Sequence, residues 1–187
     1  VDAAIAANAV QGTVAPETCG IGGDLFALVW NPGDPEPAAL NASGWAGSGV
    51  SAQDLRDAGH TEIPNDHPAS VSIPGAVAGW YALAERFGTM PVGALLDDAV
   101  SHAIDGFPAS DEYSRATTAK RAELSASAAG RELLGDTGEV ARGARVRRQT
   151  VRQPLMRAVL ALLLLTASTL AGADVFRPAY LEITEQP

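Results

Sequence analysis

Stretches of apolar residues alternate with glycine and proline breaks along the first part of the chain, and this pattern predicts an α/β (α+β) fold. Residues 1–10 are almost all apolar, which is typical of a helix buried on most sides. A short unbroken apolar run at 25–30 predicts a buried strand. The turn-forming segment 31–35 then predicts a hairpin with a second strand at 38–42.

Two later segments carry apolar residues at helical spacing. They cover residues 75–87 and 93–105, and Gly88 and Gly106 follow them directly. A glycine after the last periodic residue is a common helix stop signal. We therefore predict two helices that pack together on one side of the hairpin.

The remainder of the chain has weaker patterns. Residues 111–134 predict one or two further helices, divided near Gly130, and residues 135–143 are the most linker-like segment. The apolar run 158–173 follows a group of arginines, an arrangement shared by membrane anchors and buried helices. Because the run is shorter than the roughly 20 residues that cross a bilayer, a buried helix is favoured.

Composition and charge narrow the classes of function. The chain has 187 residues, of which 47% are hydrophobic and 19% charged, and this mix is typical of a globular protein. Residues 1–112 carry 15 acidic residues and two basic ones, which argues against nucleic acid as a partner. Residues 142–157 carry six arginines and no acid. This group is interpreted as a solvated flank or a contact with acidic surface, with an anion-binding patch as the alternative.

The titratable residues do not form a recognisable catalytic or metal-binding pattern. The single cysteine, Cys19, excludes an intrachain disulfide, and a thiol nucleophile there lacks a placed base. Asp97 and Asp98 are adjacent on a helix and diverge by about 100°, so they are expected on its solvated face. Asp66 and His67 lie in a loop without a visible third partner. We predict no metal site and no cofactor.

Three glycines precede the first strand, at positions 20, 22 and 23. A dinucleotide-binding loop needs a strand before its glycines and a helix after them, and here the order is reversed. Gly20, Gly22 and Gly23 are therefore interpreted as structural glycines. They are expected to allow positive φ and close backbone approach between the first helix and the first strand.

The order of several motifs resembles that of the γ-glutamyltranspeptidase family. The resemblance rests on the opening VDAAIAANAV, on VAPETCGIGGDLFALV at 14–29, on SIPGAVAGW at 72–80, and on RFGTMP at 86–91 with AIDGFPAS at 103–110. It implies an N-terminal-nucleophile hydrolase with an αββα sandwich, made as a precursor that cleaves itself into large and small subunits. This chain would be the helix-rich part of the large subunit, with a β-hairpin.

The resemblance also implies where the chemistry lies. In the family, the threonine that begins the small subunit attacks the amide, and its own α-amine is the base. Thr117 and Thr118 do not match this motif, because Ala119 follows them in a predicted helix. No catalytic residue is therefore expected in this chain. The expected substrate-binding residues are Ser43 and Trp45, and Trp45 stands where the family has an arginine for the substrate carboxylate.

These expectations define one incomplete domain. Residues 1–134 would be the large-subunit core, and residues 135–187 a divergent part with the arginine-flanked apolar helix and a tail. Both ends of the chain look cut. The expected partners are the small subunit of the same precursor and a small-molecule γ-glutamyl or related amide substrate. The location stays open between cytoplasmic and periplasmic or secreted.

Overall fold

The computed structural model describes residues 1–64, 67–135 and 137–148, together with the backbone of a strand at 182–184. The described chain forms two compact units. The first contains residues 1–20 and 88–148, and the second contains residues 21–87 with the strand at 182–184. The elements in chain order are α1 Asp2–Val14, β1 Leu25–Val29, β2 Ala38–Ala42, α2 Ala52–Asp57, a 3-10 turn Pro68–Ser70, α3 Ala76–Phe87, α4 Val92–Leu95, α5 Asp97–Asp105, β3 Phe107–Pro108, α6 Asp111–Ala119, α7 Arg121–Ser125, α8 Ala128–Leu134, β4 Arg145–Val146 and β5 Glu182–Thr184.

In the first unit, α1 packs against α4 and α5. The predicted single helix at 93–105 is interrupted at Leu96, which ends α4 and precedes α5. Asp97 and Asp98 are exposed in the first turn of α5, as predicted, and their charges favour the positive end of the helix dipole. Helices α4 and α5 belong to the first unit, whereas α3 and the hairpin belong to the second.

Arg148 joins three parts of the first unit. Its guanidinium lies over the rings of Phe107 and Tyr113, 5.5 and 5.7 Å from their centroids. It also donates to the Tyr113 hydroxyl at 3.0 Å and to the Thr13 carbonyl at 3.3 Å. Burial raises the pKa of Tyr113, and the nearby Arg148 opposes that shift. The hydrogen bond and ring contacts thus offset the desolvation of this guanidinium.

The other described arginines of the group also have partners within this unit. Arg145 and Arg147 donate to the Asp105 carbonyl at 3.1 and 3.2 Å, where they satisfy an unpaired group at the end of α5. Arg142 forms an ion pair with Asp111 at 3.3 Å. The predicted contact with acidic surface is therefore confirmed for Arg142.

One sequence prediction for residues 111–143 is corrected. This region has three helices, and the breaks fall at Lys120 and at 126–127 rather than near Gly130. Gly130 lies inside α8, where an added Cβ would stand 2.1 Å from the Leu124 carbonyl oxygen, so the glycine permits a close approach of α7. The described residues of the linker-like segment 135–143 are mostly exposed and form no helix or strand, as predicted, although Val140 is 3% exposed and packs in the cluster with Phe107.

In the second unit, β1 and β2 pair antiparallel from Leu25–Ala42 to Val29–Ala38, which confirms the predicted hairpin. The other side of β2 pairs with β5, so the sheet order is β1-β2-β5. Helix α3 packs on the hairpin, and Trp80 and Leu83 on this helix are buried. An added Cβ at Gly79 would lie 2.6 Å from Leu25 Cδ2, so this glycine brings α3 against the strands.

The apolar run at 25–30 is not buried on both sides, contrary to its sequence prediction. Leu25, Ala27 and Val29 are half-buried, whereas the alternating residues are exposed. The exposed fractions are 67% for Phe26, 76% for Leu28 and 71% for Trp30. Successive residues of a strand point to opposite faces, and among the described residues α3 packs on the hairpin from one side. We call Phe26, Leu28 and Trp30 the outer apolar face.

The helix predicted for the apolar run 158–173 lies outside the described residues. Within them, every helix is too short or too polar to cross a membrane.

Candidate functional site

The predicted substrate-binding residues, Ser43 and Trp45, lie in the loop that follows β2. We call residues 43–46 the acyl-site loop. Its backbone is attached to the segment before α3, because Ile73 N–H donates to the Trp45 carbonyl at 2.9 Å and Ala46 forms an antiparallel bridge with Ser72. Ser43 N–H donates to the Asn41 side-chain oxygen at 3.0 Å, a local turn that directs the chain out of the strand.

The carboxylate of Asp24 holds the acyl-site loop from the other side. It accepts a hydrogen bond from Gly44 N–H at 3.1 Å and another from the Ser72 hydroxyl at 3.0 Å. Both residues are distant from Asp24 in sequence. The bond from Gly44, then that from Ser72, and then one from the Ser43 side chain lower the pKa of Asp24 below its usual value of 3.8. Asp24 is thus ionised at neutral pH and binds donors from two segments.

Glycines allow these segments to meet. An added Cβ at Gly44 would lie 1.6 Å from the Ile73 carbonyl oxygen, and one at Gly75 would lie 2.1 Å from the Ala42 carbonyl oxygen. Neither position has room for a side chain. The Gly23 carbonyl accepts from Gly75 N–H and Ala76 N–H at 3.1 and 3.0 Å, so it satisfies two free donors at the start of α3.

The three predicted structural glycines behave differently from the expectation. Gly20, Gly22 and Gly23 are absent from the glycines of the described chain that have positive φ. An added Cβ at Gly20 or Gly22 would meet no atom within 4 Å, so the described residues do not require glycine there. The expected positive φ is therefore wrong for all three, and the expected close approach is wrong for Gly20 and Gly22. The close approaches occur at Gly44 and Gly75 instead.

The acyl-site loop offers one aromatic surface and few polar groups. Trp45 is 48% exposed, and its indole supplies one N–H donor and no charge. Ser43 is half-buried. Trp45 therefore offers an aromatic surface and one hydrogen-bond donor, and it has no positive charge for a carboxylate.

The side chains of Thr117 and His67, which are of types often used in catalysis, form structural hydrogen bonds instead. Thr117 is buried in α6, and its hydroxyl donates to the carbonyls of Tyr113 and Ser114 at 2.8 and 3.1 Å. His67 Nδ1 accepts from Ala69 N–H at 3.0 Å, and its ring lies 5.4 Å from that of His60. The described residues hold no group of three or more side chains that could bind a metal ion.

The sequence singled out Ser43 and Trp45 as expected substrate-binding residues, but it did not indicate the residues that hold their loop in place. Asp24, Gly44, Ser72 and Gly75 are separated by up to 51 residues, so periodicity and local spacing do not associate them. A signal was present, because Asp24 directly precedes the apolar run at 25–30 and Ser72 directly precedes the start of the segment that leads into α3. A polar residue at the end of a buried element is a candidate for such a contact.

Comparison with known proteins agrees with this fold. The structure is similar to the crystal structure of the γ-glutamyltranspeptidase of Helicobacter pylori, with a TM-score of 0.75 over 93% of this chain and 50% of that chain at 21% identity. The fold class is therefore the predicted one, an α/β (α+β) arrangement of helices and a small sheet like that of γ-glutamyltranspeptidase structures.

The sequence comparisons define the family. The sequence model of the Gamma-glutamyltranspeptidase family matches residues 1–157, and the chain belongs to that family. It is 37% identical to the oxamate amidohydrolase proenzyme of Klebsiella pneumoniae over 66% of this chain and 24% of that protein. It is 32% identical to the glutathione hydrolase-like YwrD proenzyme of Bacillus subtilis over 67% of this chain and 24% of that protein. The chain thus spans about a quarter of these relatives.

The packing at Gly44 generates a stability prediction. Gly44→Ala places a methyl group on the Ile73 carbonyl, so we expect the free energy of unfolding to fall by roughly 1–3 kcal/mol. Gly22→Ala is the matched control, because its Cβ would meet open space, and its effect should be about 0.5 kcal/mol or less. Urea unfolding of the two variants measures the difference. Equal stability of the two variants would contradict the packing argument.

Proposed function

We propose that this chain is part of the large subunit of a γ-glutamyltranspeptidase-like amide hydrolase or acyltransferase. The reactions of that class are γ-glutamyl transfer and glutathione hydrolysis. The observation that carries the proposal is the family match over residues 1–157 in a chain that spans about a quarter of its curated relatives. The catalytic threonine is assigned to a small subunit that these residues do not include.

The resemblance implies the division of labour in the reaction. The threonine hydroxyl of the small subunit attacks the amide carbonyl, the threonine α-amine takes the proton, and the amine leaves from an acyl-enzyme. Water or an acceptor amine then releases the acyl group. This chain contributes the acyl-site loop, where Ser43 and Trp45 contact the acyl group. Gly20, Gly22 and Gly23 carry no chemistry in this scheme.

The outer apolar face supports a subunit partner. Phe26, Leu28 and Trp30 are each at least 67% exposed, and large exposed apolar patches mark contact surfaces. An αββα sandwich stacks a second sheet on such a face. Two of the similar proteins are called proenzymes, which supports a partner made from the same precursor. We assign this face to the small subunit.

The proposed substrate differs from a γ-glutamyl compound. Trp45 replaces the arginine that the family resemblance expects, so the site lacks the charge that binds an α-carboxylate bidentately. The names of the relatives indicate that acyl groups vary, since one acts on oxamate and another is likened to glutathione hydrolase. The proposed acyl donor is therefore a related amide other than a γ-glutamyl compound.

The division of the chain is part of the proposal. Residues 1–134 form the large-subunit core and residues 135–187 its divergent continuation, within one incomplete domain. The structure adds that Val140 and Val146 pack with Phe107 and Tyr113, so the beginning of the second segment is part of a hydrophobic cluster with the first. We expect any functional divergence to lie beyond these residues.

A noncatalytic role is the alternative function. Loss of the family arginine at position 45 favours a decayed paralogue or a subunit that acts only in assembly. The coding sequence after residue 187 distinguishes the two. A Thr-Thr-His-like junction about 150–250 residues downstream, a distance on the scale of one to two domains, supports the enzyme. A stop codon without such a junction supports the alternative.

The activity of the isolated chain is the first test. Incubated with a chromogenic γ-glutamyl anilide, or with a related amide, the purified chain should release no product above background. Without the threonine nucleophile there is no route through an acyl-enzyme. Turnover that disappears when a residue of this chain is mutated would refute the proposed roles of the two subunits. Turnover that does not respond to such mutations would come from a contaminating enzyme.

The substitution Trp45→Arg tests the proposed specificity in the full-length, self-cleaved protein. A guanidinium at this position restores a charge-assisted contact worth about 1.5–3 kcal/mol, so kcat/KM for γ-glutamyl substrates should rise at least about tenfold. The change should appear mainly in KM if the contact is equally strong in the ground and transition states.

Two control variants isolate the charge. Trp45→Leu removes the ring without adding charge and should give no gain, while Trp45→Lys adds a charge without the planar fork and should give a smaller gain. An unchanged or lower kcat/KM for Trp45→Arg, in a variant that is folded and cleaved, would remove Trp45 as the specificity position.

A further inference from the structure

We propose that Asp24 is a positioning residue that sets the orientation of Trp45 and thereby the affinity of the site for its acyl donor. The inference rests on the proposed function for its link to the substrate, but its structural part stands on geometry alone. Asp24 does not need to touch the substrate. It acts through the backbone of Gly44, the residue directly before Trp45.

The Asp24 carboxylate contacts two segments that are distant in sequence. Asp24 lies at the start of β1, Gly44 in the acyl-site loop and Ser72 before α3, and the carboxylate joins all three. Two hydrogen bonds to a charged acceptor are each stronger than neutral ones. Because the two donors come from the two segments that must approach, the carboxylate fixes their separation.

The backbone on both sides of Trp45 is held in place. Its carbonyl accepts from Ile73 N–H at 2.9 Å, and the preceding Gly44 stands so close to the Ile73 carbonyl that it has no room for a Cβ. A backbone held on both sides of one residue leaves its side chain few orientations. Release of the Gly44 contact therefore changes the position of Trp45 before it changes the rest of the sheet.

The Asp24 side chain is exposed to solvent, which allows it to be removed without leaving a buried charge. Asp24 is exposed, and its lowered pKa is explained by the bonds from Gly44, Ser72 and Ser43 rather than by a buried ion pair. Truncation of an exposed side chain leaves no buried charge unpaired, so the unit should remain folded. Asp24 can thus be tested without unfolding the hairpin.

Fluorine NMR of the chain labelled with 5-fluorotryptophan measures the effect directly. Trp30, Trp45 and Trp80 give three resonances, and Trp45→Phe assigns the one of interest. Asp24→Ala should shift or broaden the Trp45 resonance. The Trp80 resonance should stay, because Trp80 is buried in α3 and reports that the unit is folded.

Matched variants separate positioning from a general loss of structure. Asp24→Asn keeps an oxygen acceptor for Gly44 N–H and should leave the Trp45 resonance near its original position. Asp57→Ala removes another exposed carboxylate of the same unit, one that accepts from Gln53 in α2, and should shift none of the three. If Asp24→Ala also moves Trp80 and Asp24→Asn does the same, the carboxylate acts on the whole unit rather than on Trp45, and the proposal is overturned.

An unchanged Trp45 resonance in folded Asp24→Ala would also overturn the proposal. In the full-length enzyme, Asp24→Ala should raise KM for the acyl donor at least about threefold with little change in kcat, and Asp24→Asn should restore it. A fall in kcat with constant KM would also overturn it. A full-length protein without activity contradicts the proposed function, while the fluorine experiment still decides the role of Asp24.

Discussion

The close approach of two backbone segments, at Gly44 and Ile73, is the constraint on which the second unit depends. The acyl-site loop leaves β2 and meets the segment that begins α3, and no side chain fits between them. Asp24 supplies the attraction that holds them, through its bonds to Gly44 and Ser72. The Gly23 carbonyl accepts hydrogen bonds from the first backbone donors of α3. The two residues before β1, Gly23 and Asp24, therefore contact both the start of α3 and the acyl-site loop.

Under the proposed function, this part of the fold carries the substrate-binding loop, and the nucleophile comes from the small subunit. The hairpin and α3 form a rigid support on one side, and the outer apolar face remains exposed on the other. A strand with three exposed apolar side chains is unfavourable in water unless another surface covers it. In the proposed enzyme, the part of the precursor that covers this face also brings the threonine, and self-cleavage then frees the α-amine that acts as the base.

The sequence predicted the elements better than their packing. The hairpin and α3 follow from local apolar spacing, a turn segment and a stop glycine, and all are present. Three features escaped prediction: the break at Leu96, the exposure of Phe26 and the contacts of Asp24. The contacts of Asp24 join residues 20 and 48 positions away, so local patterns cannot reveal them. The clustering of Gly20 and Gly22 in the sequence suggested a structural role for them. The glycines that pack against backbone are Gly44 and Gly75, which lie outside that cluster.

The central claim is that the catalytic half of this protein lies in a second chain cut from the same precursor. Mass spectrometry and N-terminal sequencing of the product of the full coding sequence test it directly. The account predicts two associated chains, one containing residues 1–187 and a second that begins with threonine. A single uncleaved chain, or a second chain that begins with a residue other than threonine, would contradict it.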